Sequence, residues 1–218
     1  MQNDNALPHE LAGVCIPDTA LVRQAIQLVR AVSSPLLFNH VMRTYLFGAL
    51  AAKKLRTPYD QEVACLGAVL HDLGLTGYAN GPKRFEVEGA DAAKRFVLVR
   101  GLAEERAELV WDAIALHTSG GIASEKRMEI ALTHIGSRMD VLGLGTGAIS
   151  EWEFAAVLAE YPRFEFKTEF YDSLVQSLAH KPPLTSAFTW ATEVARTDVP
   201  GYDCPTFKRM MATAAFAS

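Results

Sequence analysis

Along this chain apolar residues recur at three- and four-residue spacing, and the recurrence breaks at clusters of Pro, Gly, Ser and Asp. That period belongs to α-helices burying one face. Asp18 is placed to cap a helix over Thr19–Val32, where Leu21, Val22, Leu28, Val29 and Val32 approximate one apolar face. Ser34 caps a second helix, with Pro35 at a first position that needs no N–H. On it His40, Thr44, Phe47 and Ala51 share a face, and it ends near Leu55, before Thr57-Pro58. Asp60 opens a third helix, which closes at His71-Asp72 ahead of the helix-ending Gly74 and a Gly- and Pro-containing loop over Thr76–Arg84.

Further helices are predicted over Val87–Val99, Ala103–Thr118, Lys126–Leu142, Glu151–Glu160, Glu165–His180 and Thr185–Arg196. Ser150-Glu151-Trp152-Glu153 has the form of a capping box. Lys181-Pro182-Pro183 stops the helix before it. No run alternates with period two between turn signals, so no strand is predicted. The expected fold class is all-α, an irregular bundle of about seven to nine helices. Residues 1–17, polar and carrying Pro8 and Pro17, read as a loose arm. Residues 18–218 read as one helical domain, with Tyr202–Ser218 a loop and short terminal helix.

A chain of 218 residues can bury a full core. Its net charge of −4, with no basic stripe, gives no electrostatic reason to bind nucleic acid or an anionic membrane. No apolar stretch approaches bilayer length, and Met1–Asn5 lacks the basic and apolar regions of a signal peptide, so the cytoplasm is the expected compartment. Cys15, Cys65 and Cys204 are odd in number and scattered, which implies neither a disulfide framework nor a zinc knuckle. Gly143-Leu144-Gly145-Thr146-Gly147 follows a helix and lacks the Lys-Ser/Thr of a phosphate loop; a Gly-x-Ser-x-Gly elbow is absent from the chain.

The dipeptide His71-Asp72 stands out against this background, because it ends the apolar run Val63–Leu70. Burying an imidazole and a carboxylate without partners costs about several kcal/mol, so the pair needs something to bind, and a divalent cation satisfies both. Two further candidates lie on other helices: His40, within Asn39-His40-Val41-Met42-Arg43, and Asp140, at the end of Thr133–Asp140. The order His … His-Asp … Asp over three helices resembles the HD superfamily of metal-dependent hydrolases. With Leu70-His71-Asp72-Leu73-Gly74 and the segment Arg84–Ala93, it is similar to the cyanamide-hydratase-like branch.

The resemblance covers about residues 34–145 and makes that stretch the metal-binding core, with 150–218 a helical extension. It implies His40, His71, Asp72 and Asp140 as ligands to one divalent ion, zinc or iron ahead of manganese or nickel. Four protein ligands on a six-coordinate ion leave room for water and substrate, as in a catalytic centre. The expected reaction adds metal-activated water to cyanamide or a related nitrile, with Asp72 in the catalytic centre. His117, on a face with Val110 and Ile114, is expected to relay a proton, the alternative being a core histidine.

Lys83, Arg84 and Glu86 lie in or beside the loop that leaves the metal helix and are candidates for substrate binding, or else a solvated charge cluster with Glu88. Arg43 either lies over the site or pairs with a core carboxylate. His9, His134 and His180 are assigned to the surface, and Trp111, Trp152 and Trp190 to the core. Two alternatives stand beside the hydratase. One is a phosphohydrolase acting on a nucleotide or other phosphate ester, with Lys83 and Arg84 on the phosphate. The other is a non-catalytic metal-containing module for a small ligand. The expected partner is a small molecule rather than nucleic acid or membrane, and a homo-oligomer is compatible with the sequence.

Overall fold

The computed structural model describes residues 8–215. A short hairpin pairs β1 (Glu10–Leu11) antiparallel with β2 (Val14–Cys15), and ten α-helices follow. They are α1 (Ala20–Val32), α2 (Pro35–Leu55), α3 (Gln61–Leu70), α4 (Phe85–Leu98), α5 (Glu104–Ala115), α6 (Met128–Leu142), α7 (Glu151–Glu160), α8 (Phe166–Ala179), α9 (Trp190–Asp198) and α10 (Phe207–Ala212). The all-α class expected from the periodicity is the observed one. Among the described residues, no helix is long and apolar enough to cross a membrane.

Local chemistry accounts for several starts. Ser34 Oγ accepts from Leu37 N ahead of Pro35, Asp60 Oδ1 accepts from Val63 N, and Ser150 and Glu153 complete the capping box. Each such cap contributes about 1 kcal/mol. The first helix is capped by Thr19 rather than Asp18, which pairs with Arg23 instead.

Residues 1–7 of the expected loose arm lie outside the described residues. The rest of that arm departs from expectation: its hairpin turns at Ala12 and Gly13, both with positive φ, buries Val14 and Ile16, and is tied to α2 by Tyr45 Oη donating to the Cys15 carbonyl at 2.9 Å. Strands of two residues are too short to register as a period-two pattern. A second departure lies over 183–186, where a 3-10 turn replaces the first turn of the predicted helix and α9 starts only at Trp190.

The main core is formed chiefly by α1 to α6, with Val157 of α7 beneath them. Every residue of α3 from Val63 to Leu70 is buried, and α2 is buried from Leu36 to Ala52 apart from Asn39. Helices apolar all round belong at the centre. Two glycines set how closely elements meet here. A Cβ at Gly136 would lie 1.9 Å from the Thr44 carbonyl oxygen, so α6 crosses α2 in backbone contact. A Cβ at Gly74 would meet the Phe85 carbonyl oxygen at the same distance, which seats the 3-10 turn Leu73–Leu75 on the start of α4.

Two smaller apolar clusters stand apart from the main core. Leu36, Leu37, Phe85, Phe166, Phe170 and Leu174 form one, between α2, α4 and α8. Leu178, Ala191 and Ala195 form the other, between α8 and α9.

Candidate metal centre

His71 is the C-cap of α3 and Asp72 begins the 3-10 turn that follows. The helix ends between them, so two residues that would diverge by about a hundred degrees on a continuing helix can face one point. His40 reaches the same point from the second turn of α2. Its Nε2 lies 3.2 Å from His71 Nε2 and 3.4 Å from Asp72 Oδ2, and His71 Nε2 lies 3.3 Å from that oxygen. All three side chains are buried, at 0%, 0% and 2% exposure.

The far sides of the two rings settle what these near sides offer. His71 Nδ1 lies 2.7 Å from the Ala68 carbonyl, which can only accept, so Nδ1 carries the proton. His40 Nδ1 donates to Asp140 Oδ2 at 2.7 Å. Each imidazole, in its neutral form, therefore turns a bare Nε2 lone pair inward. Asp72 Oδ2 is buried there without a hydrogen-bond partner. Three lone pairs converging in a buried space repel one another unless a positive charge sits among them.

The local electrostatics point the same way. Burial works against the charge of Asp72, yet the imidazoles of His71 and His40 hold its carboxyl well below the ordinary range. Burial depresses His71 too, but the Asp72 carboxylate, together with the Ala68 carbonyl and Asp140, lifts it above its usual value. The donor set of two imidazoles and one carboxylate suits a divalent metal ion, and these ligand atoms lie within 4.8 Å of one another.

Residues 37–144, which include all three groups, match the family model of the HD domain. The chain carries an HD domain. The HD domain points to the superfamily of metal-dependent hydrolases, and the cluster found here agrees with metal binding. A comparison with curated proteins gives no match.

Asp140, expected as a fourth ligand, stands differently in this HD domain. Its carboxylate lies behind His40, on Nδ1, and not among the inward-facing atoms. Arg43 grips it through two hydrogen bonds of 2.8 Å, and Arg163 binds it from the chain beyond α7. Burial opposes its charge, but His40 and Arg43 hold its carboxyl well below the ordinary range. A carboxylate occupied in this way fixes the ring orientation and tautomer of His40, the usual arrangement behind a metal-bound histidine. Of the two roles open to Arg43 from sequence, pairing with a core carboxylate is the observed one.

His117 lies just beyond α5, with its ring 4.7 Å from that of His71 and its Nε2 3.7 Å from Asp72 Oδ1. Its Nδ1 donates to the Ile114 carbonyl at 2.7 Å, leaving Nε2 bare on the cluster side. Burial, reinforced by His71, pushes its pKa down to about 4. Near pH 7 this imidazole is therefore neutral, with its Nε2 lone pair open to a proton. His134, assigned to the surface, is instead buried, and its Nδ1 donates to the carbonyl of His117 at 2.7 Å, pinning the turn that carries it. Six residues from Asp140, it faces a different neighbour, α5, which a reading of α6 alone could not supply.

The loop residues divide. Glu86 is buried beside this turn and accepts from Thr118 Oγ1 and Arg84 Nη2, both at 2.7 Å. Lys83 is exposed and paired with Asp91 at 2.7 Å, on the outer side of α4 where Asp91 also accepts from Trp111 Nε1. The structure thus brings Glu86 and Arg84 towards the centre and leaves Lys83 outside it. Among the tryptophans, Trp111 is partly buried, while Trp152 in the first turn of α7 is 68% exposed and Trp190 lies at the surface, edge-on to Phe85. His9 and His180 are exposed.

Sequence reasoning missed Arg163, Phe166 and Phe170. The rings of Phe166 and Phe170 lie 5.1 and 5.0 Å from that of His40. Their spacing of four residues marks a helix face, but nothing in the pattern says that the face covers a histidine.

Proposed function

We propose that this HD domain adds water to a small uncharged electrophile, with cyanamide or a related nitrile as substrate and urea the product from cyanamide. One observation carries the reading. The cations that would neutralise a phosphate ester are already committed to carboxylates, Lys83 to Asp91, Arg84 to Glu86, and Arg43 and Arg163 to Asp140. The cluster itself is bordered by Phe85, Phe166 and Phe170. Apolar rings and neutralised cations favour a neutral substrate over a phosphate dianion, whose charge the ion alone would have to balance.

His40, His71 and Asp72 would hold the ion, with Asp140 orienting His40. A divalent ion bound there supplies Lewis acidity and brings the pKa of water towards neutrality. His117 Nε2, bare at neutral pH, takes the proton released as water becomes a nucleophile and returns one to the nitrogen of the former nitrile. Glu86 holds Thr118, the next residue, and so steadies that turn.

Purified protein loaded with zinc or iron is expected to form urea from cyanamide above a metal-stripped control. Phosphate release from a nucleotide without urea would instead favour the phosphohydrolase alternative. Metal binding with neither product would favour a small-ligand-binding module.

The proton role has its own test. His117→Ala is expected to keep the metal and slow turnover by about a hundred- to ten-thousand-fold. A base whose pKa is lowered works above that pKa and fails as pH falls through it. At constant metal occupancy, kcat/KM is therefore expected to decline through a limb near pH 4 that His117→Ala lacks. Lost metal would make His117 a ligand, and unchanged turnover would make it a core histidine.

A further inference from the structure

The helix α8 does not belong to the main core. The segment before it is fastened to the Asp140 network: Arg43 Nη1 donates to the carbonyls of Tyr161 and Pro162 at 3.1 Å each, and Arg163 Nη1 donates to the Asp140 carbonyl at 2.7 Å. Phe164 then turns the chain through a positive φ of 51° into α8. Beyond the far end of α8, buried Lys181 donates to Asn80 Oδ1 and the Gly81 carbonyl at 2.9 and 2.8 Å, within the loop that leaves the metal pair. Between these two fastenings α8 lies like a strap over the centre. Its inward stripe is Phe166, Phe170 and Leu174, spaced by four.

Phe166 and Phe170 stack on each other, with centroids 4.7 Å apart and planes at 14°, and both lean on His40. Their other neighbours include Leu36 and Leu37 at the start of α2 and Phe85 at the start of α4. The cluster itself is carried by α2 and the end of α3, most of whose residues belong to the tightly packed main core. A molecule entering from solvent meets less resistance parting two rings on a strapped helix than unpacking that core.

We propose that Phe166 and Phe170 are the specificity-determining residues of this centre, an aromatic wall that admits small uncharged molecules to the cluster and turns away bulky or charged ones. The wall excludes size because the two rings fill the space over His40. It excludes charge because neither ring offers a hydrogen bond to replace lost hydration. The inference rests on the hydration reading for the substrate it names, but the access it describes concerns any molecule reaching the buried cluster, a chelator included.

The test uses the full chain loaded with zinc, as wild type, Phe170→Ala, the milder Phe170→Leu, and Phe154→Ala as a control in α7, where Phe154 stacks on Phe47 away from the centre. Zinc transfer to a chromogenic chelator is followed first. With zinc content unchanged, Phe170→Ala is expected to release it at least about tenfold faster and Phe170→Leu by an intermediate factor, while Phe154→Ala stays near the wild-type rate. Hydration is followed second, with benzonitrile set against cyanamide. Phe170→Ala is expected to raise kcat/KM for benzonitrile relative to cyanamide by about 10- to 100-fold.

Wild-type release rates in both Phe170 variants would overturn the proposal, and so would equal acceleration in Phe154→Ala. A protein that takes up no zinc would overturn the wall and the hydratase together. Faster release without hydration of either nitrile by any form would leave the wall standing and remove the hydratase reading.

Discussion

Asp72→Ala protein is expected to purify with less than a tenth of the wild-type metal, about a tenfold loss or more, and to form no product above a metal-stripped control. Asp72 is the negative charge among the three converging groups, and its Oδ2 lacks any hydrogen-bond partner. Removing it leaves two neutral nitrogens 3.2 Å apart. Two imidazoles alone bind a divalent ion far more weakly than the mixed set, and nothing then balances the ion's charge in a buried space. His71→Ala is expected to match it. The folded state should survive Asp72→Ala, because Asp72 makes no structural hydrogen bond through Oδ2. Elemental analysis beside a thermal melt checks this directly. Full metal content in Asp72→Ala would move the binding site elsewhere in the chain.

The largest effect on stability is expected at the other end of His40. Asp140→Ala leaves the Arg43 guanidinium at 0% exposure without its carboxylate, and an uncompensated buried charge costs about 3–5 kcal/mol. Urea denaturation is expected to show that loss as a lower midpoint with an unchanged slope. Asp140→Asn is the informative companion, since its amide oxygen can still accept the His40 Nδ1 proton. If Asp140 orients His40, the Asn variant keeps its metal with affinity weakened about 10- to 100-fold. Loss of metal at stoichiometric loading would put Asp140 among the ligands.

These two residues show where a sequence informs and where it stops. The helices were legible because each declares itself locally, through a cap such as Ser34 or Asp60 and a repeating apolar face. His71 and Asp72 were legible because two polar groups ending an apolar helix need a partner wherever the helix lies. Which atom of His40 meets Asp140 is a question of how α2 and α6 cross, and composition along either helix leaves it open. The same holds for Arg163, which acts on a residue 23 positions earlier in the chain, and for His134, whose burial depends on α5. The hairpin escaped for the opposite reason: two strands of two residues leave too little pattern to detect.

The crossing of α2 and α6 carries a consequence of its own. Gly48 faces Leu132 and Thr44 faces Gly136, and the next step along this antiparallel ladder sets His40 against Asp140. The interval from histidine to carboxylate is thus measured out in backbone, like marks on a rule, and not in the sizes of side chains that drift or repack. Substitutions in α1 or α7 can therefore erode the melting temperature of this protein while leaving the spacing of His40 and Asp140 alone. An engineer wishing to re-aim the His40 ring would have to change the rule itself, beginning at Gly136.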